Sequence, residues 1–185
     1  MKTVLKSIFF ISLLMLMSCG NGKTDYAENA ASIQSLGAEL QSEFGDAYYT
    51  SINVTSSDLG SVVTVTNTED PSSMKMADWA YFQGSWKQNS DITLEVPEGA
   101  KAEDYMFQVG KQVKFDVLGK IVDDAKAKLK ADKKIDGKVQ LILVNAPNDG
   151  NFESMQYFLT LEPMSGGTSF DFQYQMDGTL IKYDY

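Results

Sequence analysis

The stretch TSFDFQYQMDGTLIKYDY, residues 168–185, decides the fold. Two alternating runs, Thr168–Met176 and Thr179–Tyr185, meet at Asp177-Gly178. Alternation with period two is the signature of a strand. Asp-Gly between two such runs supplies the positive φ angles that a two-residue hairpin turn requires. Tyr183 and Tyr185 are in phase, and Tyr174 lies across the turn, so part of this aromatic set shares a sheet face. The pattern continues upstream. Lys138–Asn145 and Ser154–Glu162 read as strands, with Asn148-Asp149-Gly150 and Ser165-Gly166-Gly167 as connections. Successive strands with short turns predict an antiparallel meander.

A helix precedes the meander. Leu118, Ile121, Val122, Ala125 and Leu129 form an apolar stripe opposite Asp123, Lys126, Lys128 and Lys130. Asp116 is a candidate N-cap, and the lysines towards the C-terminal end suit the helix dipole. Further upstream the plan repeats. Ile33, Leu36, Leu40 and Phe44 mark a helix over 27–44, stopped by Gly45. Tyr48–Thr55 and Ser61–Thr68 follow as strands. Val63 and Val65 share one face of the second, Thr64 and Thr66 the other. Asp70-Pro71 is a helix start, which predicts a short helix from Ser72 to about Gln83 carrying Met74, Ala77, Trp79 and Tyr81. Asp91–Val96 and the Tyr105, Phe107, Val109 alternation predict further extended segments.

Setting Ile33 on Leu118 also sets Leu36 on Ile121, Leu40 on Ala125 and Phe44 on Leu129, an offset of 85 throughout. The expected fold class is therefore α+β: antiparallel sheet with amphipathic helices packed on one face. Two tandem helix-plus-strands halves, 27–100 and 101–185, are one division of the domain 27–185. This order of elements resembles the small α+β modules of the PepSY and β-lactamase-inhibitor-like lipoprotein families. The resemblance implies a fold and carries no site residues.

The N-terminal segment reads as an address. Lys2 and Lys6 form a positive n-region, and Val4 to Met17 is mostly apolar but too short for the roughly 20 residues a spanning helix needs. Leu16, Ser18 and Cys19 match the lipobox of bacterial lipoproteins, with Met17 a departure. That resemblance implies a signal peptide over 1–18, and Cys19 as a mature N-terminus acylated on sulfur and amino group. Residues 19–26 would form the lipidated cysteine and a flexible tether. The expected location is the bacterial cell envelope, outside the cytoplasm, with the lipid bilayer as a partner through Cys19.

Composition excludes more than it assigns. The net charge is −9, and loss of Lys2 and Lys6 with the signal segment takes it to −11. Such a chain lacks the basic face that nucleic acid requires. It contains no arginine and no histidine, and Cys19 is its single cysteine. Histidine-dependent triads and histidine zinc sites are thereby excluded. Neither a cofactor nor a metal site is expected. Asn145–Asn151 superficially matches a calcium loop, but with Gly150 at the sixth position Pro147 and Gln156 occupy ligand positions, so a turn is expected.

Two groups of residues are left as candidates for a site. Glu95 with Glu98, Glu103 with Asp104, and Asp123 with Asp124 are neighbouring acids. A hydrolase of envelope polymers would need two such groups facing across a cleft, whereas a solvated acidic surface needs no partner. Trp79, Phe82 and Trp86, with Tyr81, crowd residues 79–86 and serve either as core or as an aromatic surface for a partner. The leading expectation is a membrane-anchored, non-catalytic binding module. Its ligand would be a protein, peptide or glycan held through Trp79, Phe82 and Trp86, and no catalytic residue is assigned. The alternatives are the carboxylate-dependent hydrolase and a structural component of the envelope.

Overall fold

Each of the two amphipathic stripes folds as a helix that precedes four antiparallel strands. A computed structural model describes residues 24–184. The predicted signal segment, Cys19 and Tyr185 lie outside the described residues. Helix α1 (Ala30–Phe44) leads into β1 (Tyr48–Ser57), β2 (Gly60–Thr68), β3 (Lys75–Phe82) and β4 (Ser85–Thr93). A connection containing the two-residue β5 (Phe107–Gln108) leads to helix α2 (Phe115–Lys133). Then come β6 (Gly137–Asn145), β7 (Gln156–Pro163), β8 (Phe170–Gln175) and β9 (Leu180–Asp184). The strands form one nine-stranded sheet in the order β4-β3-β2-β1-β6-β7-β8-β9, with β5 on β1. The halves join where β1 pairs antiparallel with β6, Ile52 facing Val144 and Val54 facing Ile142.

Alternation decides which strand face is covered. Ile52, Val54, Val63, Val65, Ile142, Val144, Leu159 and Phe172 belong to one core cluster with Ile33, Leu36, Leu40, Leu118, Ile121 and Leu129 of the helices. Polar partners such as Asn53 and Thr64 occupy the other face and bond to each other, Asn53 Nδ2 to Thr64 Oγ1 at 3.3 Å. In β6 a register shift between Val139 and Leu141 turns both Val139 and Ile142 to the core despite their odd spacing.

The helices touch each other through glycine. A Cβ on Gly37 would stand 2.8 Å from the Cβ of Phe115, and one on Gly119 would stand 2.9 Å from the carbonyl oxygen of Ala30. Asp123 Oδ1 accepts from the Ala30 N–H at 3.2 Å, so α2 caps α1. α1 starts three residues later than its stripe predicts, because Asn29 is the N-cap and accepts from Ser32 N at 3.0 Å. Asp116 sits in the first turn of α2, one residue past its start, so it complements the dipole without capping.

Two expectations are corrected. The helix predicted from Ser72 to Gln83 is β3. Asp70 does cap a turn at Pro71–Ser73, but Met74 leaves it with φ 54° and Lys75–Phe82 then pairs on both sides. Met74, Ala77 and Tyr81 suit a helical period, while Ala77, Trp79 and Tyr81 suit a strand equally well, and pairing with β2 and β4 settles it. The tether predicted over 19–26 is already folded at Thr24. Ser61 N donates to Thr24 O at 2.9 Å, and Tyr26 is 5% exposed with its ring 5.4 Å from that of Tyr81. Asp25 Oδ1 accepts from Ser61 Oγ at 2.8 Å and Oδ2 from Ser56 Oγ at 3.0 Å. Among the described residues no helix is long and apolar enough to cross a membrane.

Candidate functional site

α1 is too short to cover the sheet. Gly45, at φ 57°, ends it and donates to Gln41 O at 3.0 Å, which leaves the far end of β2, β3 and β4 open on the helix side. A groove of about 690 Å³ lies there, within the size range of ligand sites. Phe44 and Ala47 form its wall and Asn67, Ala77 and Trp79 its floor. Glu69, Asp70 and Asp91 stand at its margin with one cation, Lys75.

Phe44 organises the aromatic side chains. Its ring lies 5.5 Å from Trp79 and 4.9 Å from Trp86, the latter edge-on. Trp86 also donates from Nε1 to Glu39 Oε1 at 3.2 Å, which fixes it along α1. Trp79 is the tryptophan that lines the groove. Of the three aromatic candidates the fold thus brings Trp79 and Trp86 together, both half-buried, while Phe82 is exposed where β3 ends. Alternation puts Phe82 on the opposite face from Trp79.

One floor residue, Asn67, and its ladder partner Tyr49 carry unpaired polar atoms. Tyr49 faces Asn67 directly across the β1–β2 ladder. Burial pushes the Tyr49 hydroxyl up to about 12, and the nearby Asn67 side chain partly opposes the rise. The two nevertheless miss hydrogen-bond geometry, so among the described residues Tyr49 Oη and Asn67 Nδ2 are both buried without a partner. A buried polar atom left unpaired in a native fold calls for a structural or functional reason. At the margin, hydrogen bonds from Ser72, from Oγ at 2.6 Å and N at 3.0 Å, hold the Asp70 carboxyl below the usual range. Asp91 accepts from Gln88 Nε2 at 2.7 Å. Asp91 and Thr93 also belong to β4, the outermost strand, so the groove adjoins a sheet edge that is unpaired among the described residues.

The acidic pairs do not come together into a second site. Asp123 is committed to the N-terminus of α1. Glu103 and Asp104 lie in a single turn of 3₁₀ helix before β5, and Glu95 and Glu98 are exposed on the same connection. The loop over 145–151 is a turn in which Asp149 Oδ1 accepts from Asn151 N at 2.9 Å and Ser154 Oγ at 3.1 Å, which lowers its pKa. Among the described residues no group of three or more Cys, Asp or Glu is placed to hold a metal ion. Cys19 lies outside the described residues. Sequence reasoning missed Asn67, Asp91 and the role of Phe44, which come from separate elements; only the position of Phe44 at the end of the α1 stripe pointed towards the site.

No known protein family matches the sequence, and no curated protein does. Among solved structures the chain is similar to a "putative lipoprotein" from Clostridium difficile 630, with a TM-score of 0.49 and 13% identity over 86% of this chain and 94% of that one.

Proposed function

We propose that this chain is a lipid-anchored binding module of a bacterial envelope, and that the groove beside β4 takes an extended basic peptide segment. The observation that carries the reading is the open groove itself, with Trp79 on its floor, three carboxylates and one ammonium at its margin, and the unpaired β4 edge alongside. An extended chain that adds to β4 would satisfy its free backbone groups, as strand addition does elsewhere. Every second side chain would then lie over the groove. A lysine there meets Glu69, Asp70 and Asp91, and its methylene stem lies on Trp79. The Cys19 lipobox and the single unpaired thiol support the address. The mature chain's excess of acid over base agrees with a basic partner.

The test is a tryptophan-fluorescence titration with alternating Lys-Val and Glu-Val peptides. Binding of the lysine peptide alone, weakened by salt, is expected. Trp79→Ala should weaken it about tenfold or more, the scale of an aromatic anchor. Asp91→Asn, an exposed change that leaves the core intact, should weaken it less and reduce the salt dependence. Equal binding of both peptides, or none at millimolar concentration, would sink the reading.

A further inference from the structure

The N-terminal clamp and the exposed apolar side chains lie at the same end of the sheet. β1, β3 and β7 run in the same direction, because each step across the sheet is antiparallel. Their C-terminal turns therefore project from one end. Leu59 follows β1, Phe82 ends β3 and Met164 follows β7. Leu59 is 62% and Met164 66% exposed, more than any other large apolar side chain among the described residues. Strand spacing places the β3 and β7 turns about 10 and 14 Å from the β1 turn on either side. Met164 shares a cleft of about 350 Å³ with Asp25, Ser57 and Asp58, so the β7 turn flanks the point where the chain enters the fold.

We propose that this end of the domain rests on the lipid bilayer, with Leu59 and Met164 inserted at the interface and Phe82 beside them. The proposal rests on acylation of Cys19. Thr24 is fixed to Ser61 at the base of the β1–β2 turn, and five residue steps separate it from Cys19. Fully extended, that chain reaches about 17 Å, so an acylated Cys19 leaves the domain no room to stand clear. The anchor supplies attachment, and the turn residues select orientation. Charge at this end is mixed, with Lys87 on β4 and Lys134 after α2 set against Asp25, Asp58 and Glu162, so it does not by itself select anionic headgroups. Lys138 pairs with Glu162 at 3.5 Å, and Lys126 is committed to the Glu28 carbonyl. The groove beside β4, lined by Asn67, Thr68 and Lys75, lies towards the opposite end of the same strands and faces away from the membrane.

The full acylated protein in phosphatidylcholine vesicles tests this. Nitroxide labels on Leu59→Cys, Met164→Cys and the far-end control Ile92→Cys are compared for collision with oxygen and with a water-soluble nickel chelate. Mass spectrometry of the N-terminal peptide reports acylation. Labels at 59 and 164 should favour oxygen several-fold over the label at 92, unchanged when a third of the lipid is phosphatidylglycerol. Chelate access at 59 and 164 equal to that at 92, with Cys19 acylated, overturns the proposal and leaves the anchor intact. A Cys19 without acyl chains overturns both. Strengthening of the contrast by phosphatidylglycerol alone would also overturn it, since charge would then set the orientation.

Discussion

Tyr49 shows how one side chain ties stability to pH. Its hydroxyl is buried without a partner, and its pKa is pushed up to about 12 by desolvation. Burial pushes Tyr157 and Tyr174 up to about 12 as well. Below pH 10 these groups are protonated in both folded and unfolded chains, and their contribution is complete. Between pH 10 and about 12 the unfolded chain loses protons that the folded chain keeps. Stability therefore falls through that window. Urea midpoints taken at steps from pH 8 to 11.5 should decline above 10, and Tyr49→Phe should flatten the decline. At pH 8 the same substitution should be close to neutral, since it removes a buried hydroxyl that has no bond to lose.

At the element scale the contact between α1 and α2 has the least tolerance. A Cβ at Gly119 meets the Ala30 backbone, its carbonyl oxygen at 2.9 Å and Cα at 3.0 Å. No side-chain rotation relieves that contact, so the helices must part. Gly119→Ala should cost about 1–3 kcal/mol through overpacking, offset by up to about 1 kcal/mol of helix propensity. A lower urea midpoint would show the net loss; an unchanged or raised midpoint would mean that the helices separate freely. Both helices were legible in the sequence because each stripe points at one shared core. The C-terminal strands were legible because Asp177-Gly178 and its neighbours punctuate them. β3 was not, because spacings through Ala77 and Tyr81 satisfy both periods and only pairing with β2 and β4 decides. The groove was illegible for a different reason: Phe44, Asn67 and Asp91 lie on α1, β2 and β4, and no local pattern links them. The clamp at Thr24–Ala27 was hidden as well, since Asp25 finds Ser56 and Ser61 more than thirty residues away.

Over the whole molecule, protection should grade from the middle of the sheet outwards. β1 and β6 are paired on both sides and covered by the helices, while among the described residues β4 and β9 each have one free edge. Native-state hydrogen exchange should find the slowest amides in β1 and β6 and the fastest strand amides in β4 and β9. Independent opening of the two halves would instead leave the β1–β6 seam as labile as the edges. The clamp at Asp25 has a mechanical consequence. Tension on the N-terminal segment enters through Ser61 and Ser56, at the base of a hairpin two strands in from the nearer edge. The Thr24–Ser61 bond and the two Asp25 bonds carry that load before it reaches the β1–β2 ladder. Force on the N-terminal segment therefore meets the interior of the sheet and not its edge.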